Sequence, residues 1–257
     1  CVLLYVQVDG QEYYKKFRDK KSYSEIEETN DEIFEPVKLP AGFVLLPLSE
    51  TSKDPDIKSA INYVKARGLT QRQLWYYKLG TCSTGRFRRR VIIPSFDFEG
   101  NLNYFVARSV DKVEKRKYIN STIPKIDIIF NELNIDWSSE LTIVEGPFDL
   151  MKCNDNVTCM LGSSLSEKSL LFRKIITNKT PILLALDADM TKKAQKISEM
   201  LSEYGIAVRI LDCSGFEDVG EMTMLDFEER RLQAPLWSRD DKLFHLIESI
   251  GSGSALK

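Results

Sequence analysis

The sequence has one histidine, His245, and its five cysteines are scattered along the chain. A single histidine cannot supply the paired ligands of a zinc protease, nor any catalysis that uses several histidines. No two cysteines form a Cys-x-x-Cys pair, which excludes a four-cysteine zinc ribbon within these residues. An odd, dispersed set of thiols is typical of reduced cysteines in a cytosolic protein, so we expect a cytoplasmic location.

Long apolar runs are also missing. No window approaches the roughly 18 consecutive apolar residues of a membrane-spanning helix, so we expect no membrane partner. The 257 residues are 43% hydrophobic, include 13 Phe, 10 Tyr and 3 Trp, and have a net charge of −2, which argues against an intrinsically disordered chain. A chain of this length has room for two or three packed subdomains and is the size of an enzyme.

The near-neutral total conceals two blocks of opposite charge. Residues 82–125 contain ten basic and four acidic side chains, whereas residues 138–225 contain nine basic and thirteen acidic ones. The basic block could neutralise a phosphate backbone, and the acidic block could hold a divalent cation. Two solvated faces of unlike composition would give the same counts, so charge alone leaves both interpretations open.

The hydrophobic pattern of the first half indicates a mixed α+β region. Residues 54–79 have the spacing of two helices, with Asp54 capping the first and Thr70 capping the second. Residues 89–109 change to the period of two strands joined by a tight turn. The arginines at the start of the first strand should alternate between its two sides, so only Arg88 with Arg90, or Arg89 alone, can face one ligand.

Strands and helices alternate regularly from residue 141 onward. Apolar strands are expected at 141–146, 157–161, 181–189 and 206–212, with helices at 147–155, 166–177 and 191–204. Near-continuous apolar strands separated by helices indicate a parallel sheet covered on both faces. The predicted fold class is therefore α/β.

Acidic side chains follow two of the predicted strands. Glu145 ends the first, and Asp187 and Asp189 end the third, where residues two apart would point to one side. Ligands of open α/β sheets bind at the carboxyl ends of the strands. Three carboxylates there repel one another unless a cation neutralises them, and an all-oxygen ligand set favours Mg²⁺ or Mn²⁺. Asp149 and Asp218 could complete the cluster.

A structural role would also explain the two aspartates. Asp187 and Asp189 could cap the helix that begins near Thr191. An Asp-x-Asp pattern alone favours capping, whereas the further acids on separate segments favour a metal site.

Several segments resemble a known family. The segment TIVEGPFD at 142–149 resembles the Glu-Gly-x-x-Asp motif of the TOPRIM domain, and ILLALDAD at 182–189 resembles its Asp-x-Asp motif. Other segments resemble bacterial and phage DNA primases, particularly those of T-even-type phages: INYVKARGLT at 61–70, the Arg-rich residues 85–109, KYINS at 117–121, Lys125 and FEDVGEMT at 216–223. The motifs stand in the family's order over residues 55–225.

The resemblance implies a TOPRIM parallel-sheet, Rossmann-like domain preceded by a smaller mixed α+β basic subdomain. The implied divisions are an N-terminal strand with a charged, Pro-rich connector (1–50), the basic subdomain (51–137), the TOPRIM catalytic domain (138–225), and a helical tail with a Gly/Ser linker (226–257).

The implied activity is that of a DNA primase catalytic core, a nucleotidyltransferase that makes short RNA primers on single-stranded DNA. Its implied partners are the single-stranded template, ribonucleoside triphosphates and a hexameric replicative helicase, and its implied cofactor is Mg²⁺ or Mn²⁺. The implied catalytic and metal-binding acids are Glu145, Asp187, Asp189 and, for the metal, Asp218, with Asp149 tuning the cluster. The implied template- and nucleotide-binding residues are Arg88, Arg90, Arg108, Lys117, Asn120 and Lys125.

Two departures from the family pattern affect these expectations. Ala188 replaces the glycine of the common Asp-Gly-Asp form, but the carboxylates remain, so we expect metal binding to survive. The zinc-binding module that precedes the core in the family is not among these residues, so we expect no zinc in this fragment. If the chain is phage-encoded, its location is the bacterial host cytoplasm.

Two other functions would use the same residues. A TOPRIM nuclease would use the acids with water as the nucleophile. A non-catalytic DNA-binding or recombination-mediator module would use them only as structural caps.

Overall fold

Two β-sheets of different kinds organise the described residues of this computed structural model, which are 37–162 and 164–238. Within them the first sheet is antiparallel and takes its strands in chain order: β1 (Phe43–Leu45), β2 (Gly80–Cys82), β3 (Arg90–Phe96), β4 (Leu102–Ser109) and β5 (Tyr118–Asn120). The second is parallel with the order β7-β6-β8-β9: β6 (Leu141–Val144), β7 (Val157–Cys159), β8 (Ile182–Ala185) and β9 (Val208–Ile210).

Five α-helices accompany the sheets in these residues. They are α1 (Pro55–Ala66), α2 (Gln71–Tyr76), α3 (Leu170–Asn178), α4 (Thr191–Glu203) and α5 (Met224–Gln233). The predicted N-terminal strand within 1–50, the tail residues from 239 onward with His245, and the Gly/Ser linker lie outside the described residues. None of the described helices is both long and apolar enough to span a bilayer.

The two predicted helices of residues 54–79 are confirmed together with their caps. The Asp54 side chain accepts hydrogen bonds from the backbone N–H groups of Asp56 and Ile57, at 2.8 and 3.2 Å. Thr70 and Gln73 form a reciprocal capping box at the start of α2. Such caps satisfy N–H groups that a helix cannot bond internally and contribute about 1 kcal/mol each.

The β3–β4 hairpin gives the antiparallel sheet two distinct faces. Tyr104, Val106 and Arg108 alternate with Phe105 and Ala107 along β4, so the two sets point to opposite sides. Phe105 and Ala107 are buried in a small cluster on one face. Tyr104 and Val106 are buried in the larger cluster that also holds residues of β6, β7 and β8. The face that carries Arg108 is therefore turned toward the parallel sheet.

The parallel sheet is covered on both faces, as predicted. Helices α3 and α4 pack their apolar residues against one face, with Leu141, Ile143 and Leu184 among the buried strand residues. Val144 and Ala185 belong to the cluster on the other face. The mixed fold of an antiparallel and a parallel sheet agrees with the predicted α/β class.

Several predicted elements are shorter in the structure. The strand expected over 181–189 ends at Ala185, so Asp187 and Asp189 do not alternate along a strand as the sequence suggested. The chain turns there because α4 must begin at Thr191. The helix predicted over 147–155 is a single 3₁₀ turn at Asp149–Lys152. The helix predicted over 166–177 begins only at Leu170, where Ser169 caps it through the N–H of Phe172.

Substitution of Gly80 tests the packing of β1 on β2. A Cβ at this position would lie 2.1 Å from two ring atoms of Phe43 and 2.7 Å from the carbonyl oxygen of Val44. Because a backbone atom cannot move aside cheaply, we expect Gly80→Ala to lower the free energy of unfolding by about 3 kcal/mol. Urea unfolding measures this loss.

The matched control is Gly162→Ala, whose Cβ would meet only the Lys125 Nζ at 3.9 Å. It should stay within about 0.5 kcal/mol of the unaltered protein. Equal stability of the two alanine variants would contradict the close approach at Gly80.

Candidate active site

The register of the parallel sheet brings two acidic segments to one edge. Val144 of β6 lies opposite Ala185 of β8. Glu145 follows Val144 directly, and Asp187 follows Ala185 by two residues. Both therefore leave the sheet at the carboxyl ends of neighbouring strands, where ligands of α/β folds bind.

The loop after β8 presents Asp187 and Asp189 without using them as caps. Asp187 precedes a 3₁₀ turn at Ala188–Met190, and neither that turn nor α4 has a side-chain cap. The backbone N–H of Ala188 donates to the carbonyl of Glu217 at 3.3 Å, which ties this loop to the segment of Asp218. Asp187 and Asp189 therefore do not act as caps, whereas Asp218 does cap the 3₁₀ turn Val219–Glu221 by accepting a hydrogen bond from the Glu221 N–H at 3.1 Å.

Asp149 and Asp218 approach each other beside a glycine. A Cβ built on Gly220 would lie 2.9 Å from Asp149 Oδ1 and 2.9 Å from Asp218 Oδ1. The other Asp149 oxygen accepts a hydrogen bond from the backbone N–H of Gly146 at 3.0 Å. Gly146 and Gly220 leave the space that these carboxylates fill.

Burial and neighbouring carboxylates raise the pKa values of Asp149 and Asp187. Burial first, and then the charges of Asp218 and Asp187, raise the pKa of Asp149 to about 7. Burial raises the pKa of Asp187 to about 6, with further contributions from Glu145, Asp218 and Asp189. Because Glu145, Asp189 and Asp218 contribute to these rises, the five acids lie within electrostatic range of one another.

A lysine supplies part of the missing positive charge. The Nζ atom of Lys193, in the first turn of α4, lies 3.6 Å from Glu145 Oε2. Both atoms are buried and make no hydrogen bond within the described residues. The Lys193 charge opposes the rise of the Asp187 pKa.

The acidic cluster fits a hard divalent cation in its chemistry. Its donors are carboxylate oxygens alone, the type that Mg²⁺ and Mn²⁺ prefer. A cation would relieve the repulsion that raises the pKa of Asp149 and of Asp187. The fit lies in the donor chemistry and not in a formed site, because in the part of the chain that the structure describes no three His, Cys, Asp or Glu side chains stand close enough together to hold a metal ion.

Cationic and aromatic side chains face this cluster from the antiparallel sheet. Arg108 and Tyr118 are paired across β4 and β5, and the guanidinium lies 4.7 Å from the centre of the tyrosine ring. Burial raises the pKa of Tyr118. Arg108 opposes that rise, and Asp149 and Arg67 add smaller effects that respectively raise and lower the same pKa. Arg67 also lowers the pKa of Asp149. These couplings indicate that Tyr118 and Arg67 lie within electrostatic range of Asp149. Together with Arg108 they form the surface called the basic wall below.

Of the other predicted binding residues, Asn120 lies on the same face of the antiparallel sheet as Arg108. Asn120 is paired with Val106, on the face that carries Arg108. The Asn120 Oδ1 and Arg108 Nε atoms are buried without a hydrogen-bond partner among the described residues. Lys125 donates to the carbonyl oxygen of Leu161, just beyond β7, and Lys117 is exposed before β5.

The arginines of residues 88–90 are engaged within the protein. Arg88 and Arg89 form ion pairs with the buried carboxylate of Asp56, and Arg89 also pairs with Asp111. Arg90 is buried and donates to backbone carbonyls of β4 and of residues 116–117. The strand begins only at Arg90, and Arg89 has a left-handed φ of 55°, so the predicted alternation of the three side chains does not apply.

Sequence reasoning did not single out Arg67, Lys193 or Gly220. Arg67 stands within INYVKARGLT, whose resemblance to the primase helix was the available signal. The contacts of Lys193 and Gly220 depend on the meeting of distant segments. A spacing pattern does not reveal such contacts.

Comparisons with known proteins find similarity to bacterial DNA primases. No family model matches the chain. The DNA primase of Mycoplasma pneumoniae is 32% identical over 138 residues, which are 49% of this chain and 22% of that protein. The DNA primase of Clostridium acetobutylicum is 26% identical over 193 residues, or 68% of this chain and 32% of that protein. The chain thus covers less than a third of the length of these curated relatives.

A solved structure shares the fold. The DnaG primase catalytic domain bound to single-stranded DNA superposes with a TM-score of 0.59 at 21% identity, over 72% of this chain and 74% of that one. The fold is therefore that of primase catalytic cores. The curated homologues of this chain are bacterial DNA primases.

Proposed function

We propose that this chain is the catalytic core of a DNA primase, which joins ribonucleotides on a single-stranded DNA template. The observation that carries the proposal is that Glu145 and Asp187 leave the parallel sheet at one edge, with Asp149 coupled to Asp187 and Asp218 on one side and to Tyr118 and Arg67 on the other. The sequence similarity to bacterial primases supports it. In this proposal residues 51–137 bind template and nucleotide, and residues 138–225 form the TOPRIM catalytic domain.

The acidic residues have two roles in the proposed ion site. Glu145, Asp187, Asp189 and Asp218 would hold Mg²⁺ or Mn²⁺, and Asp149 would orient Asp218 beside Gly220. A bound ion would activate the primer 3′-hydroxyl and neutralise charge on the incoming triphosphate. Because phosphoryl transfer depends mainly on positioning and charge, the protein needs no covalent intermediate.

The basic wall would bind the nucleic acid. Arg108 places a guanidinium group beside the Tyr118 ring, and a guanidinium suits a phosphate oxygen. Tyr118 is 41% exposed, and an aromatic ring beside a cation can stack on an unpaired base for ~1–3 kcal/mol. Asn120, Lys117 and Lys125 would be further contacts to template or nucleotide, on family resemblance. A hexameric replicative helicase is the proposed protein partner, on family resemblance.

A priming assay tests the proposed function. The protein is incubated with defined single-stranded templates, the four ribonucleoside triphosphates and Mg²⁺ or Mn²⁺, and short RNA products are resolved on a gel. Labelled template without nucleotides forms a second arm. RNA products that require the template support a primase, whereas shortening of the labelled strand without synthesis would identify a nuclease.

Arg108→Ala should weaken template binding. We expect the dissociation constant for single-stranded DNA to rise about tenfold at low salt, and the log–log salt slope to fall by about 0.7, because one phosphate contact is lost. Fluorescence anisotropy over a salt series measures both. Arg72→Ala, an exposed arginine of α2, is the control and should bind as the unaltered protein does. Equal salt slopes for Arg108→Ala and Arg72→Ala would show that Arg108 makes no phosphate contact with the template.

A further inference from the structure

Lys193 occupies an unusual position for a lysine. It is the third residue of α4, four positions after Asp189, and its side chain is only 15% exposed. Most lysines keep the ammonium group in water, because transfer into the protein costs solvation energy. Here the ammonium is directed into the acidic cluster, 3.6 Å from Glu145 Oε2.

Hydrogen bonding does not explain this position. An ammonium group has three donors, and none of them finds an acceptor among the described residues. The 3.6 Å separation from Glu145 exceeds the length of an N–H···O hydrogen bond. Glu145 Oε2 is likewise buried without a donor. The attraction between a buried cation and surrounding carboxylates is what remains to hold the side chain there.

We propose that Lys193 is an internal counter-cation that fills the acidic cluster in the metal-free protein and competes with the divalent ion for Glu145. This proposal rests on the metal site of the proposed function. When the divalent ion engages Glu145, the ammonium group has to withdraw, because two cations would otherwise share one carboxylate. Lys193 is therefore a positioning residue that sets the affinity and the reversibility of ion binding.

A pair of lysine variants tests the competition. Lys193→Met removes the internal cation and keeps an apolar stem of similar length, whereas Lys192→Met makes the same change at the exposed neighbour on α4. We expect Lys193→Met to bind Mn²⁺ about tenfold more tightly than the unaltered protein, by calorimetry without nucleotide or DNA. Lys192→Met should stay within about twofold, since its charge is screened by solvent.

The outcomes separate this proposal from the proposed function. Tighter binding by Lys193→Met alone supports the counter-cation. Unchanged or weaker binding by Lys193→Met, with Mn²⁺ binding intact in the unaltered protein, overturns the role of Lys193 and leaves the metal site standing. Absence of Mn²⁺ binding in the unaltered protein overturns both.

A measurement on the unaltered protein covers the case in which Lys193→Met fails to fold. An amine-acylating reagent is applied with and without saturating Mn²⁺, and labelling at each lysine is quantified by mass spectrometry. Labelling of Lys193 should rise severalfold with Mn²⁺, whereas labelling of Lys192 should not change. Equal labelling of Lys193 in both conditions contradicts its displacement by the ion.

Discussion

Asp187→Asn should reduce primer synthesis by about a thousandfold while the protein remains folded. Asp187 leaves the sheet at the edge it shares with Glu145, and its charge is coupled to Glu145, Asp218 and Asp189. Replacing this oxygen ligand by a neutral amide weakens the hold on a divalent ion. The priming assay in Mg²⁺ and in Mn²⁺ measures the loss.

The same variant should be more stable than the unaltered protein in the absence of metal. Folding raises the pKa of Asp187 from 3.8 to about 6, so this carboxyl favours the folded state below pH 3.8 and that contribution is lost as the pH rises through 6. Asparagine cannot ionise and keeps the contribution at neutral pH. Because solvent screens this partly exposed group, we expect a gain of about 1 kcal/mol at pH 7 in a chelator.

A loss of activity together with a gain in stability distinguishes a metal ligand from an acid with a structural role. Denaturant unfolding in a chelator measures the change in stability. Asp155→Asn, at an exposed acid before β7, is the control and should leave both nearly unchanged. If Asp187→Asn made primers at the normal rate, or unfolded more easily in proportion to its lost activity, the catalytic assignment would be wrong.

Gly220→Ala should reduce Mn²⁺ affinity and primer synthesis by about a hundredfold. The new Cβ would lie 2.9 Å from an oxygen of Asp149 and 2.9 Å from one of Asp218, closer than such atoms can approach. Both carboxylates must shift, and displacement of reacting or ligating groups by about 1 Å costs rates of this order. Calorimetry with Mn²⁺ and the priming assay measure the two losses.

The backbone of Gly220 lies outside the left-handed region, so alanine introduces no φ strain there. The free energy of unfolding should therefore change by no more than about 1 kcal/mol. A loss of activity with this small change locates the damage in the cluster. Normal Mn²⁺ affinity in the variant would show that Asp149 and Asp218 lie outside the ion site.

The sequence predicted the elements whose signals are local. Asp54 and Thr70 indicate the starts of their helices in the sequence, because each capping side chain accepts a hydrogen bond from a backbone N–H two or three residues away. The alternation after residue 141 gave the parallel sheet, because apolar strands between helices have few other arrangements. The edge shared by Glu145 and Asp187 follows from that topology.

Features that depend on distant contacts were not predictable in this way. The strand period extended to Asp189, but the Ala188 N–H bonds to Glu217 and the chain turns after Ala185. The arginines of residues 88–90 looked like a nucleic-acid track, yet Asp56 of α1 takes up Arg88 and Arg89. Tertiary packing decides which residue pairs with a given charged side chain, and composition carries no information about that packing.

The most direct measurement is the anomalous scattering of crystals soaked in Mn²⁺ without nucleotide or DNA. We expect an anomalous difference peak at the carboxyl edge of β6 and β8, within ligating distance of Asp187 and of at least one of Glu145, Asp189 and Asp218. The peak should disappear in Asp187→Asn crystals soaked in the same way. A fully occupied peak elsewhere, with none at this edge, would contradict the assignment of these acids to a divalent-ion site.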